Sequence, residues 1–258
     1  MNRWAAVALA LVVGAVLGAV LWPMVGPRPV SEPDRARIEA IVRETLLAYP
    51  ELVPEAINRL QQREVAKLLA SNRAAIETPF AGAWAGARDA DVTLVEFFDF
   101  QCPYCRQGRT DVARLLAEDD RLRVVWRDFP VLGPVSERFA LASLSAARQG
   151  RYRAFLDAVF AGSGRLDETR LIAAVRAAGL DERQVAQDLK SPELRRELES
   201  NLALGRALGL TGTPSYVVGD RIVSGAVGYE ALRRAVADAR ARRTAPPARP
   251  TASRPVLR

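Results

Sequence analysis

The residues best suited to chemistry are two cysteines, Cys102 and Cys105, in the segment CPYC. The chain holds no other cysteine and no histidine, which excludes serine–histidine triads, cysteine–histidine pairs and imidazole metal sites. A zinc site would need two more ligands, and carboxylates rarely complete such a site. A structural disulfide across so short a loop would restrict the unfolded chain little. The favoured interpretation is a redox dithiol, with no metal and no cofactor.

The dithiol stands where a strand is expected to pass into a helix. The segment 92–98 is short, apolar and rich in β-branched and aromatic residues, which is typical of a buried strand. Backbone N–H groups at the start of the following helix favour an anionic Cys102 sulfur, a thiolate nucleophile near neutral pH. Pro103 suits the first turn of that helix. Cys105, one turn later, can attack a mixed disulfide and resolve it.

Two further features could complete a redox site. Glu96 lies in the expected strand, six residues before Cys102. It is either an outward or edge residue, or a buried carboxyl with a raised pKa that relays a proton to or from Cys105. The bond between Thr213 and Pro214 precedes another expected strand and could be cis, although most such bonds are trans. The residues alone leave both questions open.

The elements around the motif describe an α/β domain with a helical insertion. A second strand is expected over 122–126, and helical stripes punctuated by glycines fill 136–208. Two short strands follow, 215–218 and 221–223, joined by a Gly-Asp hairpin turn. A last helix is expected from Tyr229 to about Arg240, and 78–88 is expected to be a connector.

The N-terminal segment indicates export. No charged residue occurs from Trp4 to Pro27, a length adequate to span a bilayer, and Arg3 before it favours a cytoplasmic N-terminus. The apolar run exceeds a typical signal-peptide core and ends in a poor cleavage site. We therefore assign residues 1–29 to an uncleaved signal anchor in preference to a removed signal peptide. Both place the rest of the chain in the periplasm or at the extracytoplasmic face of the inner membrane.

Residues 30–78 are expected to form a helical N-terminal extension. Ile38, Ile41, Val42 and Leu46 recur at steps of three and four, and a second stripe follows from Ile57. Two amphipathic helices must bury their apolar sides against something. Packing on the main domain of the same chain and homo-oligomerisation through residues 34–77 both stay open.

The charge distribution argues against nucleic acid as a partner. The net charge is +7, but the last nineteen residues hold six arginines and no acid, which leaves the rest of the chain near +1. Hydrophobic residues make up 49% of the chain, enough for a folded core. The Arg/Pro-rich residues 244–258 are predicted to be a disordered tail.

The segments LVEFFDFQCPYC and TGTPSYVVGDRIVSGAVGYEAL, separated by a long helical block, resemble the DsbA-like thioredoxin-fold proteins. Within that family the chain is most similar to the exported thiol–disulfide oxidoreductases that carry a helical N-terminal extension. The resemblance implies a four-stranded thioredoxin domain over 79–243, with a helical domain inserted at about 130–210. CPYC also occurs in glutaredoxins, whose chains are much shorter and usually cytosolic.

The resemblance also implies roles for the site residues. Cys102 attacks, Cys105 resolves and the two form the redox disulfide. Pro214 is cis beside the sulfurs, and the backbone at Thr213 pairs with an extended substrate segment. Pro103 and Tyr104, between the cysteines, are expected to contact the substrate as well. Strongly oxidising members have histidine at the position of Tyr104, so this chain is expected to be a weaker oxidant.

These observations predict an exported enzyme that exchanges its disulfide with cysteines of secreted or periplasmic proteins and forms disulfides in them. A membrane or periplasmic redox partner would return it to its starting state. Disulfide isomerase or reductase activity is the alternative within the class. From other classes, a client-binding holdase with an incidental dithiol and a thiol-based metal carrier stay open.

Overall fold

The computed structural model of the protein describes residues 14–15, 31–162 and 164–244. The expected membrane segment, apart from Gly14 and Ala15, and the expected tail beyond Thr244 lie outside the described residues. Among the helices that are described, none has the length and apolar character needed to cross a bilayer. The anchor therefore stays a prediction.

The described chain contains ten helices and five strands, labelled here in chain order. The helices are α1 (Glu32–Ala48), α2 (Leu52–Ser71), α3 (Arg73–Glu77), α4 (Pro103–Glu118), α5 (Pro134–Arg148), α6 (Tyr152–Ala161), α7 (Glu168–Ala177), α8 (Glu182–Asp188), α9 (Pro192–Ala207) and α10 (Tyr229–Thr244). The strands are β1 (Trp84–Gly86), β2 (Val92–Phe98), β3 (Leu122–Asp128), β4 (Ser215–Val218) and β5 (Arg221–Ser224).

The chain divides into two compact units at Arg59 and Leu60, within α2. In the first unit, the side chain of Ser31 caps the start of α1 by accepting a hydrogen bond from the backbone N–H of Asp34. No residue of α1 is buried, and its large apolar residues are 42% to 76% exposed. The expected amphipathic helices are present, and the apolar stripe of α1 is uncovered.

The second unit is built on a five-stranded sheet with the order β1-β3-β2-β4-β5. β2 and β3 run parallel, joined through α4, while β4 and β5 form the expected antiparallel hairpin. The resemblance implied four strands, and the structure has a fifth. Trp84–Gly86, in the segment expected to be a connector, pairs with β3 as an antiparallel edge strand. This strand is only three residues long and ends in glycine, so its sequence pattern is weak.

β2 lies at the centre of the sheet with all seven residues buried. Leu94 and Phe98 belong to the apolar cluster on the face where α4 and α10 pack. Val95 and Phe97 belong to a second cluster on the opposite face. This is the two-residue alternation of a strand covered on both sides. Glu96 lies two residues from both Leu94 and Phe98 and therefore shares their face of the strand. Its carboxyl points to the face that carries α4.

The helical insertion comprises α5 to α9 and joins β3 to β4. An aromatic cluster connects it to the end of β2, with Phe100 at its centre. The Phe100 ring stacks on that of Phe160 with centroids 5.5 Å apart and meets those of Phe98 and Phe155 edge to face. The insertion therefore packs directly behind the residues that lead into the CPYC segment.

The end of the N-terminal extension belongs to the second unit. Leu69 of α2 and Ile76 of α3 are buried in the cluster on the far face of the sheet. Arg127 of β3 donates hydrogen bonds to the backbone carbonyls of Ala75 and Thr78 and to the side chain of Asn201. Packing within the chain thus accounts for the apolar residues of this part of the extension.

The last helix is longer than expected, because it continues four residues past Arg240 to Thr244. Its arginines are partly neutralised by the body of the protein. Arg240 forms ion pairs with Asp91 and Asp119, and Arg242 lies 2.9 Å from Asp220. Part of the positive charge of the C-terminal region is therefore paired with acidic residues of the folded domain.

Candidate active site

The first cysteine of the motif occupies the N-cap position of the helix that follows it. Cys102 is the N-cap residue of α4, with extended backbone angles, and Pro103 occupies the first turn. The backbone N–H of Cys102 donates to the carbonyl of Asp99 at 3.1 Å, which turns the chain from β2 into the helix. The Cys102 sulfur thus lies at the positive end of the α4 dipole, where an anion is favoured.

The loop before β4 contributes the second part of the site. The peptide bond between Thr213 and Pro214 is cis, the conformation that the resemblance implies. The Cys102 thiol donates a hydrogen bond to the Thr213 carbonyl, with 3.2 Å between sulfur and oxygen. The fold therefore brings together two segments that are more than a hundred residues apart in the chain.

The two cysteines differ in exposure. Cys102 is 6% exposed and Cys105 is 1% exposed, while the Tyr104 side chain between them is 61% exposed. Both sulfurs are free thiols in the structure. Burial raises the pKa of the Cys105 thiol well above its usual range, and the nearby Glu96 raises it further. Cys105 therefore holds its proton at neutral pH and needs a base before it can act as a nucleophile.

Glu96 is a buried carboxyl beneath α4, not an outward or edge residue. Its Oε2 atom accepts a hydrogen bond from the indole N–H of Trp126 at 3.0 Å. Burial raises the pKa of Glu96 to about 7, while the positive charge of Arg109 and the Trp126 hydrogen bond act in the opposite direction. A carboxyl that titrates near neutral pH can both accept and donate a proton under working conditions.

Asp99 is a buried carboxylate that sequence reasoning missed. Its Oδ1 atom accepts from the backbone N–H of Gln101 and from the Ser136 hydroxyl, and its Oδ2 atom accepts from the backbone N–H groups of Val131 and Leu132. The carboxylate thereby fastens the 131–133 loop and the first turn of α5 to the turn that carries Cys102. An aspartate three residues before a helix N-cap is the signal that could have identified it.

The structure places the expected site residues around one centre. Cys102 and Thr213 are in direct contact, Pro214 adjoins Thr213, and Glu96 and Cys105 influence each other electrostatically under the same helix. Pro103 and Tyr104 lie at the exposed start of α4. This arrangement of a sheet, a helix that begins at a dithiol, and a cis-proline loop defines a thioredoxin fold with a dithiol site.

The family model of the DSBA-like thioredoxin domain matches residues 93–237. The chain belongs to this family. A second family model, the N-terminal domain of the copper resistance protein ScsC, matches residues 34–67 in the extension.

Solved structures agree with this assignment. A thioredoxin-like oxidoreductase from Silicibacter pomeroyi is 40% identical, with a TM-score of 0.63 over 67% of this chain and 99% of that chain. A linker-deletion mutant of ScsC from Proteus mirabilis is 27% identical, with a TM-score of 0.65 over 84% of this chain and all of that chain. The second match extends into the N-terminal region.

Curated relatives include Na⁺/H⁺ antiporters named NhaA. That of Herminiimonas arsenicoxydans is 38% identical over 144 residues, which are 54% of this chain and 22% of the antiporter. NhaA 3 of Salinispora tropica is 31% identical over 156 residues, or 60% of this chain and 24% of the antiporter. The chain therefore spans under a quarter of the length of these relatives.

Proposed function

We propose that this protein oxidises pairs of cysteine thiols in exported proteins to disulfides. The observation that carries the proposal is the contact between the Cys102 thiol and the Thr213 carbonyl beside Pro214. It places the more exposed sulfur at a helix N-terminus and next to backbone that an extended polypeptide can pair with.

The exchange begins with Cys102 and Cys105 joined in a disulfide. A substrate thiolate attacks the Cys102 sulfur, and the Cys102–Cys105 bond breaks. Cys105 leaves with the electron pair and takes a proton from Glu96. A second substrate thiolate then attacks the substrate sulfur of the mixed disulfide, which releases Cys102 as a thiolate. The substrate gains a disulfide, and the enzyme is left as the dithiol.

The Thr213 carbonyl links substrate binding to the redox state. In the dithiol it accepts the Cys102 S–H at 3.2 Å. A disulfide has no S–H, so oxidation frees this carbonyl to accept a backbone N–H of the substrate. Pro103 and the exposed ring of Tyr104 line the same approach and would contact the residues beside the substrate cysteine.

Isomerase or reductase activity is a second candidate, favoured by the uncovered apolar stripe of α1. Ile38, Ile41 and Val42 are each about half exposed. An oligomer formed through residues 34–77 would bury such a stripe and bring several dithiols around one misfolded client. Light scattering on the purified protein tests this association: a single-chain mass would contradict it.

We further propose that the enzyme works at the extracytoplasmic face of the inner membrane, anchored through residues 4–27, and that a membrane or periplasmic partner reoxidises its dithiol. The uncharged sequence of that segment and the arginine before it support this placement. Recovery of the protein in the soluble periplasmic fraction, with residues 1–29 removed, would contradict the anchor.

Oxidation of a reduced two-disulfide protein tests the function. Catalytic amounts of the oxidised enzyme should accelerate disulfide formation, and a variant with Cys102→Ser and Cys105→Ser should not. Equal rescue of folding by the double variant would instead indicate a holdase. The same enzyme offered a scrambled-disulfide protein separates the candidates, because an isomerase restores native pairing faster than it oxidises thiols.

A further inference from the structure

The hydroxyl of Tyr216 is a buried polar group that the exchange as described does not use. Tyr216 lies in β4, two residues after Pro214, and its side chain is 0% exposed. No hydrogen bond reaches its hydroxyl from any residue that the structure describes. Burying an O–H without a partner is unfavourable, so a phenylalanine would be the expected choice at a purely structural position.

Tyr216 faces Glu96 across the centre of the sheet. The register of β2 and β4 pairs these two residues directly, and the register of β2 and β3 pairs Glu96 with Trp126. The three side chains therefore form one row on the face covered by α4. Trp126 already donates to the Glu96 carboxyl from one side of this row. Tyr216 carries the only other side-chain donor in it.

The helix above the row leaves space for the hydroxyl at Gly108, one turn after Cys105. A Cβ atom at position 108 would stand 2.6 Å from the Tyr216 hydroxyl oxygen and 4.0 Å from the Cζ atom of its ring. The hydroxyl, and not the ring, thus fills the volume that a side chain would need. The hydroxyl lies against the helix that carries the dithiol, and its own strand pairs with the strand that carries Glu96.

The charges around Tyr216 keep its hydroxyl a donor. Burial and the neighbouring groups Glu96 of β2 and Cys105 and Asp111 of α4 raise the pKa of Tyr216, as does Cys102. The hydroxyl therefore stays protonated throughout the working pH range. On the other side of β4, β5 places the uncharged Val223 opposite Tyr216.

The groups that face Glu96 act on it in both directions. Burial raises its pKa to about 7, whereas the charge of Arg109 on α4 and the Trp126 hydrogen bond lower it, as does the proximity of the Tyr216 hydroxyl. Tyr152 of α6 is also within electrostatic range of the carboxyl and is itself protonated, because burial raises its pKa. An O–H from Tyr216 is thus one of few groups that favour the ionised carboxylate.

We propose that Tyr216 is a positioning residue for proton exchange at the dithiol: its hydroxyl donates to the Glu96 carboxylate when that group is ionised and holds it toward Cys105. The inference deepens the proposed proton relay and rests on it. In the resolving direction, Cys105 gives its proton to this carboxylate and its electron pair forms the bond to Cys102. The Cys102–substrate bond breaks, and the substrate leaves as a thiolate.

Titration of Glu96 in Tyr216→Phe tests the proposal. Carbon-13 NMR of the labelled Glu96 carboxyl, assigned with Glu96→Gln, should show its midpoint about one pH unit higher than in the wild type. The pH dependence of mixed-disulfide resolution should move by the same amount. Tyr229→Phe is the matched control, since it removes a surface hydroxyl that bonds Glu118 and should leave Glu96 unchanged. An unmoved Glu96 midpoint in Tyr216→Phe overturns the inference.

A second variant tests the location of the hydroxyl independently. Gly108→Ala should displace the Tyr216 hydroxyl and raise the titration midpoint of Glu96 in the wild-type background. It should have no effect in Tyr216→Phe, because the nearest ring atom lies at van der Waals contact distance from the new Cβ atom. An equal effect in both backgrounds would overturn the placement. If Glu96 does not relay the proton at all, Glu96→Gln should resolve the mixed disulfide at the wild-type rate. This result distinguishes failure of the relay from failure of the inference about Tyr216.

Discussion

The Cys102 thiol donates a hydrogen bond to the Thr213 carbonyl across 3.2 Å, although 111 residues separate the two in the chain. This contact joins the start of α4 to the loop before β4. Because β2 and β4 pair directly, their ends carry the two segments to the same edge of the sheet. The site is therefore a consequence of strand order, and the long helical insertion leaves it intact.

Replacement of Tyr104 tests what sets the oxidising strength. Without a histidine between the cysteines, the couple should lie well below the value of about −120 mV typical of strong oxidants. Tyr104→His should raise it by about 30 mV, or tenfold in the equilibrium constant, because a positive charge stabilises the Cys102 thiolate. Equilibration with glutathione measures this. Tyr49→His, at another exposed tyrosine, should leave the potential unchanged.

Glu96→Gln should slow the resolving attack of Cys105. Only the ionised carboxylate accepts the Cys105 proton, so the wild-type rate should rise as the pH passes through about 7. The variant should lose this inflection and react about tenfold more slowly near pH 7. Acid quenching of a preformed mixed disulfide gives the rate. Glu199→Gln, on an exposed face of α9, serves as the control, and an inflection retained in Glu96→Gln would refute the relay.

Buried carboxyls should make the protein less stable as the pH rises. Burial raises the pKa of both Glu96 and Asp128 to about 7, above the values near 4 of the unfolded chain. The native state therefore binds more protons between these values. The stability that the two groups contribute is fully present below about pH 4 and is lost as the pH rises through about 7.

Urea unfolding across pH 4 to 8 measures this dependence. Each carboxyl should add a downward slope of about 1.4 kcal/mol per pH unit at most, and Glu96→Gln or Asp128→Asn should each flatten the profile. Asp128 also accepts from the Ser143 hydroxyl at 2.6 Å and from the Tyr152 hydroxyl at 3.2 Å, whereas asparagine has a single acceptor oxygen, so its variant should be less stable at every pH. A wild-type stability that increases between pH 5 and 7 would contradict the assignment.

Asp99→Asn should loosen the turn before Cys102. The carboxylate accepts four hydrogen bonds, whereas an asparagine offers one acceptor oxygen and would direct an NH₂ group at two of the donors. The expected cost is about 2 kcal/mol in unfolding free energy, with a slower exchange reaction. Asp120→Asn, at an exposed position, should change neither, and equal stability of the two variants would count against this role.

Local patterns were sufficient to predict most elements of the second unit. The buried strand, the helix that begins at Pro103, the hairpin and the insertion all follow from apolar periodicity and turn residues. Short elements were not predicted, because their sequence patterns are weak. Trp84–Gly86 is a strand only because it pairs with the edge of β3. The four residues added to α10 include Arg242, which pairs with Asp220, and Arg243, which donates to the backbone carbonyl of Asp91, a residue distant in sequence.

The chemistry was predictable where it depends on neighbours in sequence and hidden where it depends on packing. Cys102 and Cys105 are recognisable from their spacing and their place before a helix. The environment of Glu96 depends on Trp126 and Tyr216, which reach it only through strand register. Asp99 likewise binds a loop some thirty residues further along the chain.

Covalent trapping tests the division of labour between the two sulfurs most directly. Cys105→Ser, incubated with a peptide activated as a mixed disulfide, should retain the peptide on Cys102, because the thiol that would release it is absent. The wild type should release it, and Cys102→Ser should capture little, since the remaining Cys105 is 1% exposed and holds its proton. Mass spectrometry of the intact adduct identifies the modified residue. A stable adduct on Cys105, or none on Cys102, would contradict the account.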